Sequence, residues 1–134
     1  MTTEEFRAAV VARAVAWQQA TYPAVPLITE NGPMADENSI GPVWLDLEIR
    51  WYGAQNITMG LNPTGRHTGA VSAQVFYRQA QGVALPGQIV DSLISLMANV
   101  RLGSGQLQFP QRTVPTCLKG WYKTGILVPF YLNG

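Results

Sequence analysis

The sequence is poor in the side chains on which many enzyme and metal sites depend. Its 134 residues include one cysteine, Cys117, and one histidine, His67. A single cysteine excludes a disulfide within the chain, and one histidine with one cysteine does not make a zinc site of ordinary composition. We therefore predict a protein that needs no disulfide, no metal and no cofactor.

The same scarcity argues against nucleophilic catalysis. A Ser-His-Asp triad would need His67 as its base, but no serine lies in a Gly-x-Ser-x-Gly frame or a similar one. A thiol enzyme would have to pair Cys117 with the same histidine. The position of Cys117 between Thr116 and Leu118 is instead typical of a small buried thiol in a strand. The sequence predicts that the protein is not an enzyme.

Charge is also scarce, and it is divided unevenly. Charged residues make up 13% of the chain and apolar residues 47%, whereas soluble domains average about 25% charged residues. Residues 1–48 contain seven acids and two bases, a balance of −5, and residues 49–134 contain one acid and seven bases, a balance of +6. The low charge favours a subunit buried in an assembly. The asymmetry allows head-to-tail contact between identical subunits, or simply a folded surface that mixes both signs.

Long apolar runs are absent as well. No segment approaches the ~18 apolar residues that a membrane span requires, and the start Met-Thr-Thr-Glu-Glu lacks the basic and apolar regions of a signal peptide. We expect a protein made inside a cell, without a membrane partner, that is used there or packaged after assembly.

Two segments have the periodicity of helices. Thr2 and Thr3 precede Glu4 and Glu5, a pattern that caps a helix start, and the helix should end near Ala20. Its apolar stripe comprises Phe6, Val10, Ala14 and Trp17. A second helix is predicted from about residue 85, with Arg101 in its last turn and Gly103 as its stop. Its broader stripe comprises Ile89, Val90, Leu93, Leu96, Met97 and Val100.

The segment 43–52 predicts a long strand with two different faces. One face is apolar throughout and comprises Val43, Leu45, Leu47, Ile49 and Trp51. The other, which we call the mixed face, alternates aromatic and charged residues and comprises Trp44, Asp46, Glu48, Arg50 and Tyr52. Asp46 and Glu48 are spaced for acid and base work or for a hard cation, but the neighbouring Arg50 favours a ladder of ion pairs. The mixed face should meet water or another subunit.

A glycine-rich loop, residues 60–69, precedes the clearest strand, residues 71–77, and carries Arg66 and His67. Shorter strands are predicted at residues 27–29, 55–61 and 106–109, and residues 31–41 read as a polar loop. The tail, residues 120–132, is rich in strand formers, and Pro129 favours an edge or a bulge there. The order of elements predicts one domain, residues 1–134, of the α+β class, with a mainly antiparallel sheet of about four to six strands packed by two helices.

Taken together, these segments resemble the tail terminator-like proteins of tailed bacteriophages. The resemblance rests on the N-terminal helix, the long strand that ends in an aromatic residue, and the loop that leads through Arg66-His67-Thr68-Gly69 into the strand Val71-Ser72-Ala73-Gln74-Val75-Phe76-Tyr77. A turn containing Gly82, a helix and the closing Gly120-Trp121-Tyr122 complete it. The turn at residues 81–86 is less glycine-rich than in the family.

The resemblance implies a structural subunit. Such proteins form rings, typically hexameric, that sit on the end of the tail tube, stop its polymerisation and present a surface to the head connector, while DNA passes through without specific binding. The implied location is the virion tail or neck, and the host cytoplasm during assembly. Another neck, head-closure or tail-completion protein and a small non-catalytic binding module are the alternatives.

The expected contacts are with a second copy of the chain, with the major tail tube protein and with the head connector or neck protein. We expect the loop at residues 61–69 to be an adaptable contact loop, and this loop and residues 31–41 to be mobile in the free protein. The residues expected to make protein contacts are Arg66 and His67 of that loop and Trp44, Asp46, Glu48 and Arg50 of the mixed face. A further hypothesis places acids of the first part of the chain along the channel, where they would repel the DNA backbone.

Overall fold

The computed structural model describes residues 1–29, 41–56, 60, 65–78 and 82–133. Most of the predicted polar loop at residues 31–41 lies outside this part of the chain. The described residues form two helices and one eight-stranded sheet. In chain order the elements are α1 (Thr3–Thr21), β1 (Leu27–Thr29), β2 (Val43–Asn56), β3 (Gly65–Arg78), α2 (Ala84–Met97), β4 (Arg101–Leu102), β5 (Gly105–Leu107), β6 (Gln111–Arg112), β7 (Thr116–Leu118) and β8 (Trp121–Asn133).

Helix α1 begins where the sequence predicts. The Thr2 hydroxyl accepts a hydrogen bond from the Glu5 backbone N–H at 3.1 Å, and the Glu5 carboxylate accepts one from the Thr2 backbone N–H at 3.2 Å. This reciprocal pair is a capping box, which satisfies two amides that the first turn leaves without helical partners. These bonds lower the pKa of Glu5, mainly through the Thr2 backbone N–H.

The predicted apolar stripe of α1 is confirmed, because Phe6, Val10, Ala14 and Trp17 are all buried. The helix shares one core with α2 and with a single face of the sheet. Two polar contacts fix the helices against each other: the Trp17 indole donates to the Ser92 hydroxyl at 2.8 Å, and the Arg13 Nε donates to the Leu96 carbonyl at 3.0 Å. No helix in the described part of the chain is both long and apolar enough to span a membrane.

Helix α2 is shorter than predicted. It ends at Met97, and Arg101 lies in β4 instead of the last helical turn. Asn99 adopts a positive φ of 55°, a conformation that asparagine tolerates better than most residues. The chain turns at Asn99, where the backbone N–H of Asn99 donates to the Gln108 carbonyl at 3.4 Å and the Val100 carbonyl accepts from the Leu107 amide at 2.8 Å. Pairing with the returning chain therefore replaces the last predicted turn of helix.

The sheet is mixed and has more strands than the four to six predicted. Its main order is β1-β2-β3-β8-β5-β4, and β6 and β7 also pair with β8. Strand β1 runs parallel to β2, and the other pairs are antiparallel. The α+β class agrees with the prediction. The count differs because three strands of two or three residues, β4, β6 and β7, were not predicted, whereas β5 corresponds to the predicted strand at residues 106–109.

Strand β2 is also longer than predicted. Gly53-Ala54, which separates the predicted strands at residues 43–52 and 55–61, does not end β2, because the ladder with β3 shifts its register between Trp51 and Gly53 and then continues to Asn56. A β-bulge of this kind accommodates one extra residue without ending the strand. The separate strand predicted at residues 55–61 is therefore wrong at its start, and residues 57–59 and 61 lie outside the described residues.

Strand β8 is central, which contradicts the edge position suggested by Pro129. It pairs with β3 along one side and with β5, β6 and β7 along the other. The Pro129 carbonyl accepts a hydrogen bond from the Gln108 amide, between β5 and β6. The nitrogen of Pro129, which has no hydrogen, points to the same side of the strand as this carbonyl. Neither β5 nor β6 pairs with Pro129, so no strand on this side needs a hydrogen bond from its nitrogen, and proline is tolerated inside the sheet.

Replacing Gly125 by alanine should destabilise the protein by about 1–3 kcal/mol, the usual cost of overpacking a core. A Cβ atom at Gly125 would lie 2.2 Å from the Ala73 carbonyl oxygen and 2.7 Å from the Gln74 Cα, and both of these are backbone atoms. Gly53→Ala is the matched control, because a Cβ there meets no atom within 4 Å. Urea denaturation of both variants measures the difference, and equal stabilities would contradict the packing described here.

Thr2→Ala should remove the N-cap and cost about 1 kcal/mol of stability at neutral pH. Glu5→Gln is the control, since glutamine retains a side-chain acceptor for the Thr2 amide. Because folding lowers the pKa of Glu5, the carboxylate's contribution is present above its ordinary value of 4.5 and is lost as the pH falls through the folded pKa. Thermal melts at several pH values should show wild type approaching Glu5→Gln in acid. A constant difference between them would contradict a role for the Glu5 charge.

Candidate interaction surface

The two helices cover one face of the sheet, and the mixed face of β2 lies on the other. Trp44, Asp46, Glu48 and Arg50 stand beside Phe76, Gln74, Ser72 and Ala70 of β3, respectively. Within this row Trp44 and Asp46 are half-buried, and Glu48 and Arg50 are exposed. The predicted separation of an apolar face from a mixed face is therefore present in the structure.

The ladder of ion pairs predicted on this face is present between Glu48 and Arg50. The Arg50 Nε lies 3.4 Å from the Glu48 carboxylate, and each side chain is about half exposed. Exposed pairs of this kind contribute between about 0 and 1 kcal/mol. The pair therefore does little for stability, and its charged groups stay accessible to a partner.

Trp44 has a more internal role than the sequence suggests. Its ring stacks on Phe76 at 4.1 Å and meets Trp121 edge-on at 6.1 Å. The Arg78 guanidinium lies 3.7 Å from the centre of the Trp121 ring. These contacts form an aromatic cluster at one end of the mixed face, and Trp44 anchors it from β2.

The centre of this face has a polar floor that the sequence pattern did not single out. Ser72 and Gln74 are buried, and the Gln74 amide nitrogen donates to the Ser72 hydroxyl at 3.3 Å. The Gln74 amide oxygen accepts from the Thr113 hydroxyl at 3.3 Å. The floor opens to a pocket of about 190 Å³ that Arg50 and Lys123 also line. Period-two alternation predicts which face these residues share, but it carries no sign that the chain near Thr113 covers them.

Arg66 and His67 lie in strand β3, which corrects the prediction of a contact loop over residues 61–69. Residues 65–69 pair with β2, and from Arg66 onward the strand also pairs with β8, so two ladders hold its backbone. Glycine at position 69 is required by close packing: a Cβ there would lie 2.1 Å from the Arg50 carbonyl oxygen and 2.8 Å from the Phe130 ring. Of the predicted loop, residues 61–64 lie outside the described part of the chain.

The two side chains are held in different ways. The Arg66 Nε donates to the Asn133 side-chain oxygen at 2.9 Å, and the guanidinium lies 4.4 Å from the centre of the Tyr131 ring. The His67 ring meets Trp51 edge-on at 6.1 Å. Arg66 and His67 are therefore ordered parts of the sheet, at the same end as Trp51.

The bulge in β2 creates the most exposed aromatic surface among the described residues. Trp51 is 40% exposed and Tyr52 63% exposed, and residues 53–56 are exposed as well. Trp51 packs from the side against Phe130 and Phe6, at ring distances of 5.1 and 6.2 Å. It therefore has a fixed orientation, although it is not covered.

A pocket of about 390 Å³ opens beside these aromatic residues. It is lined by Thr3, Trp51, Tyr52, Gly53, Ala54 and His67. The sequence prediction omitted Trp51 and Tyr52 from the contact residues. The available signal was the pair of large aromatic residues immediately before Gly53-Ala54, where the alternation ends.

The geometry does not bring the candidate catalytic residues together. Cys117 pairs with Tyr122, and His67 pairs with Leu132, so they lie ten residues apart along β8, about 33 Å at the usual strand rise. Cys117 is exposed, contrary to the predicted buried thiol, because β7 lies on the outer edge of the sheet. Across residues 1–29, 41–56, 60, 65–78 and 82–133, no group of three or more histidine, cysteine, aspartate or glutamate side chains is placed to hold a metal ion.

Comparison with known proteins identifies a fold but no family. No family model matches the chain, and no curated protein matches it. A solved structure with 17% sequence identity superposes with a TM-score of 0.74, and the alignment covers 98% of this chain and 96% of that one. The chain is therefore similar in fold to a solved protein over almost its whole length.

Proposed function

We propose that this protein is a structural subunit of a tailed bacteriophage, of the tail terminator-like kind. In this proposal, copies of the chain form a ring, hexameric as is typical of the family, on the end of the tail tube. The ring stops polymerisation of the major tail tube protein and presents a surface to the head connector. DNA passes through it without specific binding.

The observation that carries the proposal is the exposed end of β2. Trp51 and Tyr52 are exposed on a chain that has few charges. Tryptophan and tyrosine are the residue types most enriched among those that dominate binding energy in protein interfaces. Trp51 is already oriented by Phe6 and Phe130, so little side-chain entropy is lost when a partner covers it.

The backbone beside these side chains supports the same interpretation. Strand β1 pairs with β2 only at residues 45–47, so within the described residues no strand lies along the outer edge of residues 51–56. An unpaired edge of this length is a template for contact with another protein chain. It supports a function in assembly more strongly than one in catalysis.

Arg66 and His67 remain the proposed contacts with the tail tube. They lie at the end of the sheet that carries Trp51, and the pocket beside Trp51 is lined partly by His67. Because β2 and β8 both pair with the backbone of these two residues, less conformational entropy is lost when they bind a partner than when a loose loop binds. The tube would thus meet a preformed surface.

The test of the proposal is tail length in the phage that encodes this chain. Without the gene, electron microscopy should show tails longer than the wild-type distribution and without heads, and the wild-type gene should restore both length and joining. Arg66→Glu should restore neither, because it reverses the charge of the proposed tube contact. Lys119→Glu, which reverses an exposed charge in the turn before β8, should restore both.

Thermal melts must show that both variants are folded, since Arg66 also contacts Tyr131 and Asn133. Normal tail length without the gene would contradict the proposed function. Normal length with a folded Arg66→Glu variant would remove Arg66 from the tube contact.

A further inference from the structure

The sheet has two lateral edges, and each carries exposed apolar side chains. The order of strands places β1 and β2 at one edge and the short strands β4 to β7 at the other. The first edge carries Trp51 and Tyr52, and we call it the β2 edge. The second carries Phe109, which is 62% exposed, and Val114, which is 81% exposed, and we call it the β4–β7 edge.

The ladders place the aromatic residues of the two edges at nearly the same height along the strands. Trp51 stands beside Gly69, which stands beside Phe130. Gln108, the residue before Phe109, donates to the Pro129 carbonyl. Phe109 therefore lies about two residues, or ~7 Å, from the height of Trp51.

The net charges of the two edges are opposite in sign. Strands β1 and β2 contain Asp46, Glu48 and Arg50, a net charge of −1, whereas residues 101–118 contain Arg101 and Arg112 and no acid, a net charge of +2. Through Ile126 and Ala73, Arg112 stands at the height of Leu47 and on the face that the helices cover, whereas Asp46 and Glu48 lie on the mixed face. Arg112 forms an ion pair with Asp91, but its side chain is 54% exposed, and a guanidinium has five N–H donors.

We propose that the β2 edge of one copy packs against the β4–β7 edge of the next, with Tyr52 and Phe109 in the contact. The inference rests on the proposed ring and names the surfaces that form it. Because the two edges differ, each copy contacts two neighbours, and a contact of this head-to-tail type closes into a ring when the rotation between copies permits.

The test is the oligomeric state of the full-length chain, measured by sedimentation velocity over a range of concentrations. Wild type should assemble. Tyr52→Asp and Phe109→Asp should each raise the dissociation constant by at least about 30-fold, because each places a charge at the centre of the apolar contact. Val83→Asp is the matched control, since Val83 is 74% exposed but precedes α2, away from both edges. It should assemble like wild type.

Mixing the two edge variants provides the decisive measurement. Tyr52→Asp retains an intact β4–β7 edge and Phe109→Asp an intact β2 edge, so an equimolar mixture should form 1:1 heterodimers and nothing larger. All three variants expose the changed side chain to solvent, and matched melting temperatures confirm that each is folded.

Three results would overturn the inference. The first is assembly of both edge variants like wild type, which would mean that the proposed ring uses another interface. The second is monomeric edge variants that fail to dimerise when mixed. The third is a wild-type chain that stays monomeric at every concentration. Tail length in the phage tests the proposed function separately, so failure of the edges and failure of the function are distinguishable.

Discussion

The pairing of β3 with β8 is the constraint on which the rest of the structure depends. These strands pair continuously from Arg66 beside Asn133 to Arg78 beside Trp121. Strand β2 is attached to the free side of β3, and the short strands of the other edge are attached to the free side of β8, either directly or through β5. Helices α1 and α2 have their apolar stripes buried only because this pair supplies the centre of the shared core.

Close approach of the central strands to their neighbours explains Gly69, which the sequence assigned to a loop, and Gly125, which lies in a predicted strand. Gly69 and Gly125 both lie in strands, and at each a Cβ would overlap a backbone carbonyl oxygen. In the sequence, Gly65 and Gly69 frame Arg66 and His67 and therefore indicate a loop. In the structure both residues lie in β3 and pair with β2, and at Gly69 the missing side chain leaves space for the Arg50 carbonyl and the Phe130 ring.

What the sequence predicted well depends on local rules. Thr2 and Glu5 interact within one turn, and the stripes of α1 and α2 follow from helical periodicity, so the starts and buried faces of both helices could be predicted. The end of α2 could not, since it depends on hydrogen bonds of Asn99 and Val100 with residues 107 and 108. Likewise, the exposure of Cys117 depends on β7 lying outside β8, which no local pattern encodes.

The candidate surface shows the same division. The mixed face of β2 could be predicted, because alternation fixes which side chains share a face. The exposure of Trp51 could not be predicted, since the residue is on the face that the helices cover. It is exposed there because it lies near the first turn of α1, where Phe6 is the first buried residue, and because the bulge at Tyr52 redirects the strand. The exposure of Trp51 thus depends on where α1 begins to cover the sheet, which the sequence of β2 does not encode.

The uneven division of charge along the chain becomes a spatial property through the topology of the sheet. Strands β1 and β2 come before the central pair is complete, and β4 to β7 come between its two members, yet the two groups attach to opposite sides of it. Strand β2 spans the point at residue 48 where the balance of charge changes, so Arg50 of the basic part lies on the same strand as Asp46 and Glu48 of the acidic part. The β2 edge nevertheless has a net charge of −1 and the β4–β7 edge a net charge of +2. In the proposed ring, each contact would join two edges of opposite net charge, whereas two like edges would repel each other.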